Sequence, residues 1–99
     1  MKRTQKTEST FAHRVWRVVC ALPRGQVRSY SQVALAAGFP GAGRAVGTLM
    51  KYNFDPARPC HRVVRADGTL GQYNRGVTAK TRLLRAEGVL IRRGRIVAA

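Results

Sequence analysis

The chain has 99 residues, of which nineteen are Lys or Arg and four are Asp or Glu, so its formal net charge is +15 at pH 7. This length excludes a second hydrophobic core, and apolar stretches of only a few residues exclude a transmembrane helix. A folded domain with this charge repels itself unless it meets a polyanion, so nucleic acid is the expected partner. A merely basic surface and a ribosome-associated protein remain alternatives. An anionic membrane is disfavoured because no long basic helix carries an aromatic apolar face.

The N-terminal sequence MKRTQKTEST is basic and polar, and no apolar segment follows it, so we expect no signal peptide. We predict a flexible basic tail over residues 1–8 and a single folded domain over residues 9–99. Nothing indicates secretion, so both cysteines, Cys20 and Cys60, are expected to be reduced. The expected location is the cytoplasm, at the nucleoid in a bacterium, or the nucleus in a eukaryote.

The first predicted helix begins at Ser9 or Thr10, either of which can cap it. Apolar residues then recur at helical spacing between Phe11 and Leu22. Cys20 lies next to that apolar face and is predicted to be a small core residue, as is the larger Trp16. The segment LPRGQV ends the helix.

A pair of short helices is predicted next. Ser29 and Gln32 form an S-x-x-Q capping box that begins a helix ending near Gly38. After the GFPG turn, residues 44–51 have the pattern of a second helix with its apolar side chains inward. Two short helices joined by a glycine-containing turn in a basic chain indicate a helix-turn-helix, although helical hairpins are also common.

The rest of the chain predicts a little β-structure and one more helix. Val63 and Val64 lead to the turn dipeptide Asp67-Gly68, which predicts a short hairpin or a pair of extended segments. The segment TAKTRLLRAEG is predicted to be a helix with Leu83 and Leu84 buried and Gly88 as its stop. A terminal hairpin is predicted to turn at Arg93-Gly94. The predicted fold class is mainly α with minor β, a single domain with a helix-turn-helix of winged-helix-like type.

A reactive cysteine is the first chemical hypothesis. Cys60 and His61 are adjacent, with Arg58 and Arg62 beside them, and positive charge lowers the pKa of a thiol below its free value of about 8.5. A histidine can accept the thiol proton directly or through water, and a carboxylate can orient it. Adjacent residues of a strand point to opposite faces, so the two side chains cooperate directly only in a turn. A simply buried Cys60 remains the alternative.

The carboxylate partner of such a histidine has few candidates. Of the four acidic residues, Glu8 lies in the tail and Asp67 in a turn, which leaves Asp55 and Glu87. Only Glu87 falls on a predicted helix beside apolar positions. A zinc site would need both cysteines and both histidines, and their spacing is poor for chelation, so we expect no metal and no cofactor.

These segments together resemble a known family. The run Pro59-Cys60-His61-Arg62-Val63-Val64 resembles the active-site signature of the O6-alkylguanine-DNA alkyltransferases, the methylated-DNA–protein-cysteine methyltransferases. RSYSQVA (28–34) and GRAVG (43–47) are similar to the family's helix-turn-helix, GQY (71–73) to its pocket loop and LLRAEG (83–88) to its final helix. The resemblance runs from about Val15 to Gly88 and implies the fold of the alkyltransferase C-terminal domain.

The resemblance implies a role for each matching position. Cys60 would accept the methyl group, His61 would be its water-mediated base, and Glu87 would orient His61. Tyr30 would crowd the 3′ phosphate and help protonate the departing guanine. The residues implied in DNA binding are Arg44, which would fill the gap left by the flipped base, with Tyr30, Gly43, Gly47 and Ala45. Those implied in the substrate pocket are Val63, through its carbonyl, with Tyr73, Asn74, Lys80 and Asn53.

The implied function is repair of double-stranded DNA containing O6-alkylguanine, by flipping O6-methylguanine and moving its methyl group irreversibly to Cys60, without a cofactor and as a monomer. The alternative is a non-catalytic sensor of the alkyltransferase-like type, which binds the lesion and recruits nucleotide excision repair proteins. A generic basic DNA-binding protein is a third possibility. An ordinary surface pair is the alternative for Glu87 and Lys80.

The chain departs from the family pattern in four ways. Only about ten residues precede the first helix, so we expect the family's N-terminal domain, with any zinc it holds, to be absent. The length is that of the alkyltransferase-like proteins, which have another residue where this chain has Cys60. The stretch from Asn53 to Cys60 is shorter than usual and carries Asp55 and Arg58 where apolar residues are common. Arg75 replaces a frequent glycine and should disfavour large alkyl groups.

Overall fold

A computed structural model describes residues 10–71 and 75–98 of the chain, and the predicted tail lies outside them. Within these residues there are four α-helices, α1 (Phe11–Cys20), α2 (Tyr30–Ala36), α3 (Gly43–Lys51) and α4 (Val77–Ala86), and a 3-10 helix at Cys60–Arg62. Strand β1 (Arg28–Ser29) pairs with β2 (Val63–Val64), and β3 (Leu90–Arg92) pairs with β4 (Arg95–Ala98). The predicted fold class, mainly α with minor β, is confirmed. No helix in the described residues is long and apolar enough to cross a membrane.

Helix α1 follows its predicted pattern with one exception. The Thr10 hydroxyl accepts a hydrogen bond of 3.2 Å from the His13 N–H, which caps the helix. Val15 and Val19 are fully buried, and Trp16 packs half-buried against the core. Cys20 is exposed, so its assignment to the core was wrong. It follows Val19 by one residue, and that step of about 100° turns its side chain out of the apolar stripe.

Helices α2 and α3 form the predicted helical pair. The capping box is complete: the Ser29 hydroxyl accepts from the Gln32 N–H at 3.1 Å, and the Gln32 side chain accepts from the Ser29 N–H at 2.8 Å. Gly38 takes a φ of +93°, which ends α2. The core between the helices is closed by buried apolar residues, namely Val33, Ala34, Ala37, Val46 and Met50. Helix α3 therefore lies firmly on α2.

A parallel strand pair joins distant parts of the chain. Arg28 pairs with Val63, and Ser29 with Val64. The valines therefore pair with β1 and not with the segment that follows the Asp67-Gly68 turn, although that turn is present as a hydrogen-bonded loop over residues 65–69. This pairing places the 3-10 helix that ends at Arg62 next to the start of α2 at Tyr30.

The second half of the chain builds a smaller apolar cluster. Its buried members are Val64, Leu70, Leu84 and Val89. Leu84 is fully buried, whereas Leu83 is 38% exposed, so the prediction that both are buried was wrong for Leu83. Adjacent helical residues lie about 100° apart, and α4 has a single packed face here. The β3–β4 hairpin packs against this cluster through its half-buried isoleucines and turns at Arg93-Gly94, as the sequence predicts.

Candidate active site and nucleic-acid interface

Cys60 is the first residue of the 3-10 helix and is 2% exposed. Its thiol accepts a hydrogen bond from the Asn53 amide, with 3.3 Å between Nδ2 and Sγ. In the described part of the chain, no hydrogen bond links His61 directly to Cys60. The 3-10 turn therefore directs the two side chains to different hydrogen-bond partners, the thiol to Asn53 and the imidazole to Glu87.

Asn53 holds the loop that connects α3 to Cys60. It is buried, and its Oδ1 accepts from the Asp55 N–H at 3.1 Å. Its Nδ2 also faces the carbonyl oxygens of Asp55 at 3.2 Å and Arg58 at 3.4 Å. The Arg58 guanidinium lies 4.5 Å from the centre of the Trp16 ring. One amide and one cation–π contact thus anchor this loop around the thiol.

His61, Arg62 and Glu87 form a buried charge network. His61 Nε2 lies 2.7 Å from Glu87 Oε2, and Arg62 donates to both carboxylate oxygens at 2.8–3.2 Å. The Glu87 side chain is 6% exposed, so it is not a member of an ordinary surface pair. Burial alone would raise the pKa of Glu87, but hydrogen bonds from Arg62, from the Gly25 N–H and from His61 outweigh burial and lower that pKa to about 2. The carboxylate is therefore ionised throughout the physiological range.

The same network ties the first turn region to the end of α4. The Gly25 N–H donates to Glu87 Oε1 at 3.0 Å, and the Arg62 guanidinium donates to the Leu22 carbonyl at 2.8 Å. Arg24 donates to the Ala86 carbonyl at 2.8 Å. Gly25 has a φ of +86°, and a Cβ there would lie 3.0 Å from the Glu87 carbonyl oxygen, so a glycine is required for this approach.

Lys80 is fully buried, which also excludes it from an ordinary surface pair. Its ammonium donates to the Val63 carbonyl at 2.7 Å and lies 5.7 Å from the centre of the Tyr30 ring. Burial disfavours the charged ammonium and lowers the pKa of Lys80 to about 8. Cys60 acts in the opposite direction but more weakly, and Arg65 lowers this pKa slightly further. The carbonyl expected to read the guanine amino group is thus already held by a cation.

Tyr30 is the first residue of α2 and lies over Gly71. A Cβ on Gly71 would lie 2.5 Å from the Tyr30 hydroxyl oxygen, and the φ of Gly71 is +77°. Burial raises the pKa of Tyr30, with Arg65 acting in the opposite direction and Cys60 in the same one. The phenol is therefore neutral at pH 7 and remains able to donate its proton.

A basic cleft adjoins Tyr30. Its volume is about 270 Å³, and it is lined by Tyr30, Gly43, Arg44, Gly47, Thr48, Lys51 and Arg65. Arg44 and Ala45 are exposed at the start of α3. A Cβ on Gly43 would lie 3.0 Å from the Ser31 hydroxyl, so this glycine is explained by the packing of α3 on α2 and needs no DNA contact.

The structure brings together most of the residues that the resemblance singled out. Cys60, Asn53, Lys80, Val63 and Tyr30 surround one site, with the His61–Glu87 pair on its border, whereas Tyr73 and Asn74 lie outside the described residues. Sequence reasoning considered Arg62 only as a positive charge beside Cys60 and missed that it binds Glu87. It gave no site role to Arg65, which lines the cleft. The sequence signal for both arginines was their position in the basic segment that contains Cys60 and His61. The described residues contain no cluster of three or more His, Cys, Asp or Glu able to hold a metal ion.

Comparison with known proteins adds independent observations. A family model described as "6-O-methylguanine DNA methyltransferase, DNA binding domain" matches residues 10–89. A methylated-DNA–protein-cysteine methyltransferase of Salmonella typhimurium is 46% identical over 82 residues, which are 82% of this chain and 48% of that protein. One of Methanothermobacter thermautotrophicus is 48% identical over 80 residues, 80% of this chain and 44% of that protein. The chain thus spans about half the length of these curated relatives.

Two solved structures are similar over most of the chain. The Mycobacterium tuberculosis OGT in complex with DNA has a TM-score of 0.75 at 42% identity, covering 79% of this chain and 48% of that one. The S. pombe Atl1 in complex with damaged DNA containing O6-carboxymethylguanine has a TM-score of 0.76 at 33% identity, covering 83% of this chain and 79% of that one. The fold therefore occurs in proteins crystallised on DNA, in one case DNA with an alkylated guanine.

Proposed function

Because this chain belongs to the family of the 6-O-methylguanine DNA methyltransferase DNA-binding domain, we propose that it repairs O6-methylguanine in duplex DNA by taking the methyl group onto Cys60. One observation carries the proposal: a buried thiol lies inside the matched segment, near the buried Lys80 and next in sequence to His61, which is held by Glu87. The thiolate is the nucleophilic form of a cysteine, and a histidine can accept the thiol proton through water.

The proposed reaction is a single displacement. The Cys60 sulfur attacks the methyl carbon, the S–C bond forms as the C–O6 bond breaks, and the electron pair stays on guanine. One proton leaves the thiol through water to His61, whose opposite nitrogen is held by Glu87. Guanine gains one proton, for which the neutral Tyr30 hydroxyl is the proposed donor, and water restores the proton to Tyr30. The product is a thioether, so each molecule acts once.

The base must leave the helical stack before a buried thiol can reach its substituent. Extrusion costs a few kcal/mol, and phosphate contacts with an inserted side chain can offset that cost. Arg44, exposed at the start of α3 on the rim of the basic cleft, is the proposed inserted residue. We further propose that the protein acts as a monomer, in the compartment that holds the DNA.

Intact mass spectrometry tests this function directly. The protein is incubated with a duplex containing one O6-methylguanine, and the expected result is a gain of about 14 Da, one methyl replacing one hydrogen. Cys60→Ser should abolish the gain, and Cys20→Ser should retain it, because Cys20 is exposed on α1 away from the site. An unchanged wild-type mass after saturating exposure would refute methyl transfer.

The alternative is a lesion sensor that transfers nothing and recruits nucleotide excision repair proteins. It is favoured by one observation, the similarity of the fold to S. pombe Atl1 in complex with damaged DNA, at a TM-score of 0.76. Binding that prefers O6-methylguanine duplex without a mass change would support the sensor. Equal affinity for damaged and undamaged duplex would instead indicate a general DNA-binding protein.

A further inference from the structure

The β3–β4 hairpin lies beyond Val89, where the family match ends, and neither the site nor the proposed reaction uses it. It is firmly attached. The Ile96 N–H donates to the Gly68 carbonyl at 2.8 Å, and Arg85 on α4 donates to the Ile91 carbonyl at 3.1 Å. Both isoleucines pack on the smaller apolar cluster. The hairpin is thus a fixed part of the folded domain, and its turn has a defined position.

The turn of this hairpin concentrates positive charge. Residues 92, 93 and 95 are all arginine, and all three are exposed. Within the described residues this turn forms no ion pair, because Asp55 pairs with Arg58 and Glu87 pairs with His61 and Arg62. Asp67 interacts with Arg95, but its lowered pKa is caused mainly by hydrogen bonds from Thr69, with smaller contributions from Arg95 and Arg65. Arg92 and Arg93 therefore carry charge that no side chain of the described fold neutralises.

Two local features of the turn are unfavourable for folding. Arg92 and Arg95 are cross-strand partners, and like charges in directly opposite positions destabilise a hairpin. Arg93 has a φ of +55°, a conformation in which this kind of turn favours Asn, Asp or Gly. Residues that disfavour the local conformation they adopt are expected mainly at functional positions. A polyanion lying across the turn would remove the repulsion and use the exposed guanidinium groups.

The hairpin is continuous with the basic cleft. Arg65 lines that cleft together with Tyr30 and Arg44, and it begins the loop over residues 65–69. That loop bridges to β4 at Thr69 and Arg95, and a Cβ on Gly68 would lie 3.1 Å from Arg95 Cγ. Positive side chains therefore run from the start of α3, through Arg65, to the hairpin turn.

We propose that the β3–β4 hairpin is a second phosphate-binding element, in which Arg92 and Arg93 contact the backbone of the duplex beside the segment held by α3. The inference rests on the proposed function for its ligand, duplex DNA. Backbone contacts add affinity without reading sequence or lesion. The hairpin therefore strengthens binding to damaged and undamaged DNA alike and leaves the methyl transfer step unaltered.

The test is the salt dependence of binding to a fluorescent duplex of about 20 base pairs, with and without a central O6-methylguanine. Each lost phosphate contact lowers the slope of log K against log salt by about 0.9. The double variant R92Q/R93N should lower that slope by about 1.8. Its affinity loss should be about 12-fold larger at 50 mM than at 200 mM salt. The matched control R17Q/R82Q removes the same charge from exposed positions on α1 and α4 and should leave the slope close to the wild-type value.

Misfolding does not explain the expected result, because R92Q/R93N removes a repulsive pair and places Asn where the turn favours it. Its thermal midpoint without DNA should equal or exceed that of the wild type. A slope equal to that of R17Q/R82Q would overturn the hairpin assignment, as would a loss confined to damaged duplex. The two proposals can fail separately. If R92Q/R93N lowers the slope as predicted but the wild-type protein gains no mass, methyl transfer is refuted and the hairpin assignment is supported.

Discussion

Replacing Glu87 with Gln tests how strongly the charge network stabilises the folded domain. The carboxylate is almost buried and accepts hydrogen bonds from Arg62, Gly25 and His61, which lower its pKa from its usual 4.5 to about 2. One pKa unit corresponds to about 1.4 kcal/mol, so the folded state favours the ionised form by about 3 kcal/mol. We expect Glu87→Gln to reduce the free energy of unfolding by about 3 kcal/mol at neutral pH, because Arg62 then lacks its anion.

The stability difference between the wild type and Glu87→Gln should depend on pH. A carboxyl group whose pKa is depressed by folding stabilises the protein fully above its unfolded pKa, and this stability is lost as the pH falls toward the folded pKa. The difference between wild type and variant should therefore shrink from about 3 kcal/mol at pH 7 to about 1.5 kcal/mol at pH 3. Urea unfolding followed by the fluorescence of Trp16, the single tryptophan, measures both values.

A charge-matched control separates this network from general electrostatics. Asp67→Asn removes one negative charge from an exposed turn and should change stability much less. Parallel stability curves for wild type and Glu87→Gln between pH 7 and pH 3 would refute the reasoning, because the carboxylate would then have the same proton affinity in the folded and unfolded chain.

Three further predictions concern single side chains. Wild-type stability should rise as the pH increases from about 8 to 10.5, because unfolded chains bind a proton that folded Lys80 has released, and Lys80→Met should lack this rise in urea unfolding. Gly71→Ala should slow the methyl transfer rate at least tenfold, since a Cβ there meets the Tyr30 hydroxyl. Gly76→Ala, which also has a positive φ but meets no atom within 4 Å, is the control, and an unaffected rate at Gly71 would contradict the contact. Asn53→Ala should lower the free energy of unfolding by about 2 kcal/mol, because it removes several hydrogen bonds, including the one to Cys60 Sγ. In a Cys20→Ser background it should also speed the modification of Cys60 by a small thiol reagent, and an unchanged labelling rate would show that the loop holds its position without Asn53.

Much of the fold could be predicted because its signals are local. The Thr10 cap, the capping box of α2 and the glycine turn of the terminal hairpin each depend on residues a few positions apart. The parallel pairing of β1 with β2 could not be predicted, because each strand has two residues and the strands are separated by more than thirty positions. No period or turn marks such a pairing.

The site shows the same limit. Cys60 and His61 were conspicuous as neighbours, and Glu87 was selected among four acidic residues by its place on a predicted helix. The binding of Arg62 to Glu87 and the burial of Lys80 depend on how α4 packs, which the residue pattern leaves open. Cys20 and Leu83 were assigned to the core wrongly because each lies next to a buried residue of its helix. The sequence pattern does not define the edge of the apolar face to within one residue, which is a rotation of about 100°.

The ties around Glu87 also bear on the order of events during synthesis. Gly25 meets this carboxylate across 62 positions of chain, and His61 across 26. When only the segment up to α3 has emerged from the ribosome, most of the apolar cluster around α1, α2 and α3 is available for packing. Glu87, the anion that binds His61 and Arg62, is not yet present. Closing loops of this length is entropically slow compared with forming the helices. The nascent chain therefore gains helices α1 to α3 first, and Cys60 acquires its full set of neighbours only after Glu87 has emerged and reached the turn at Gly25.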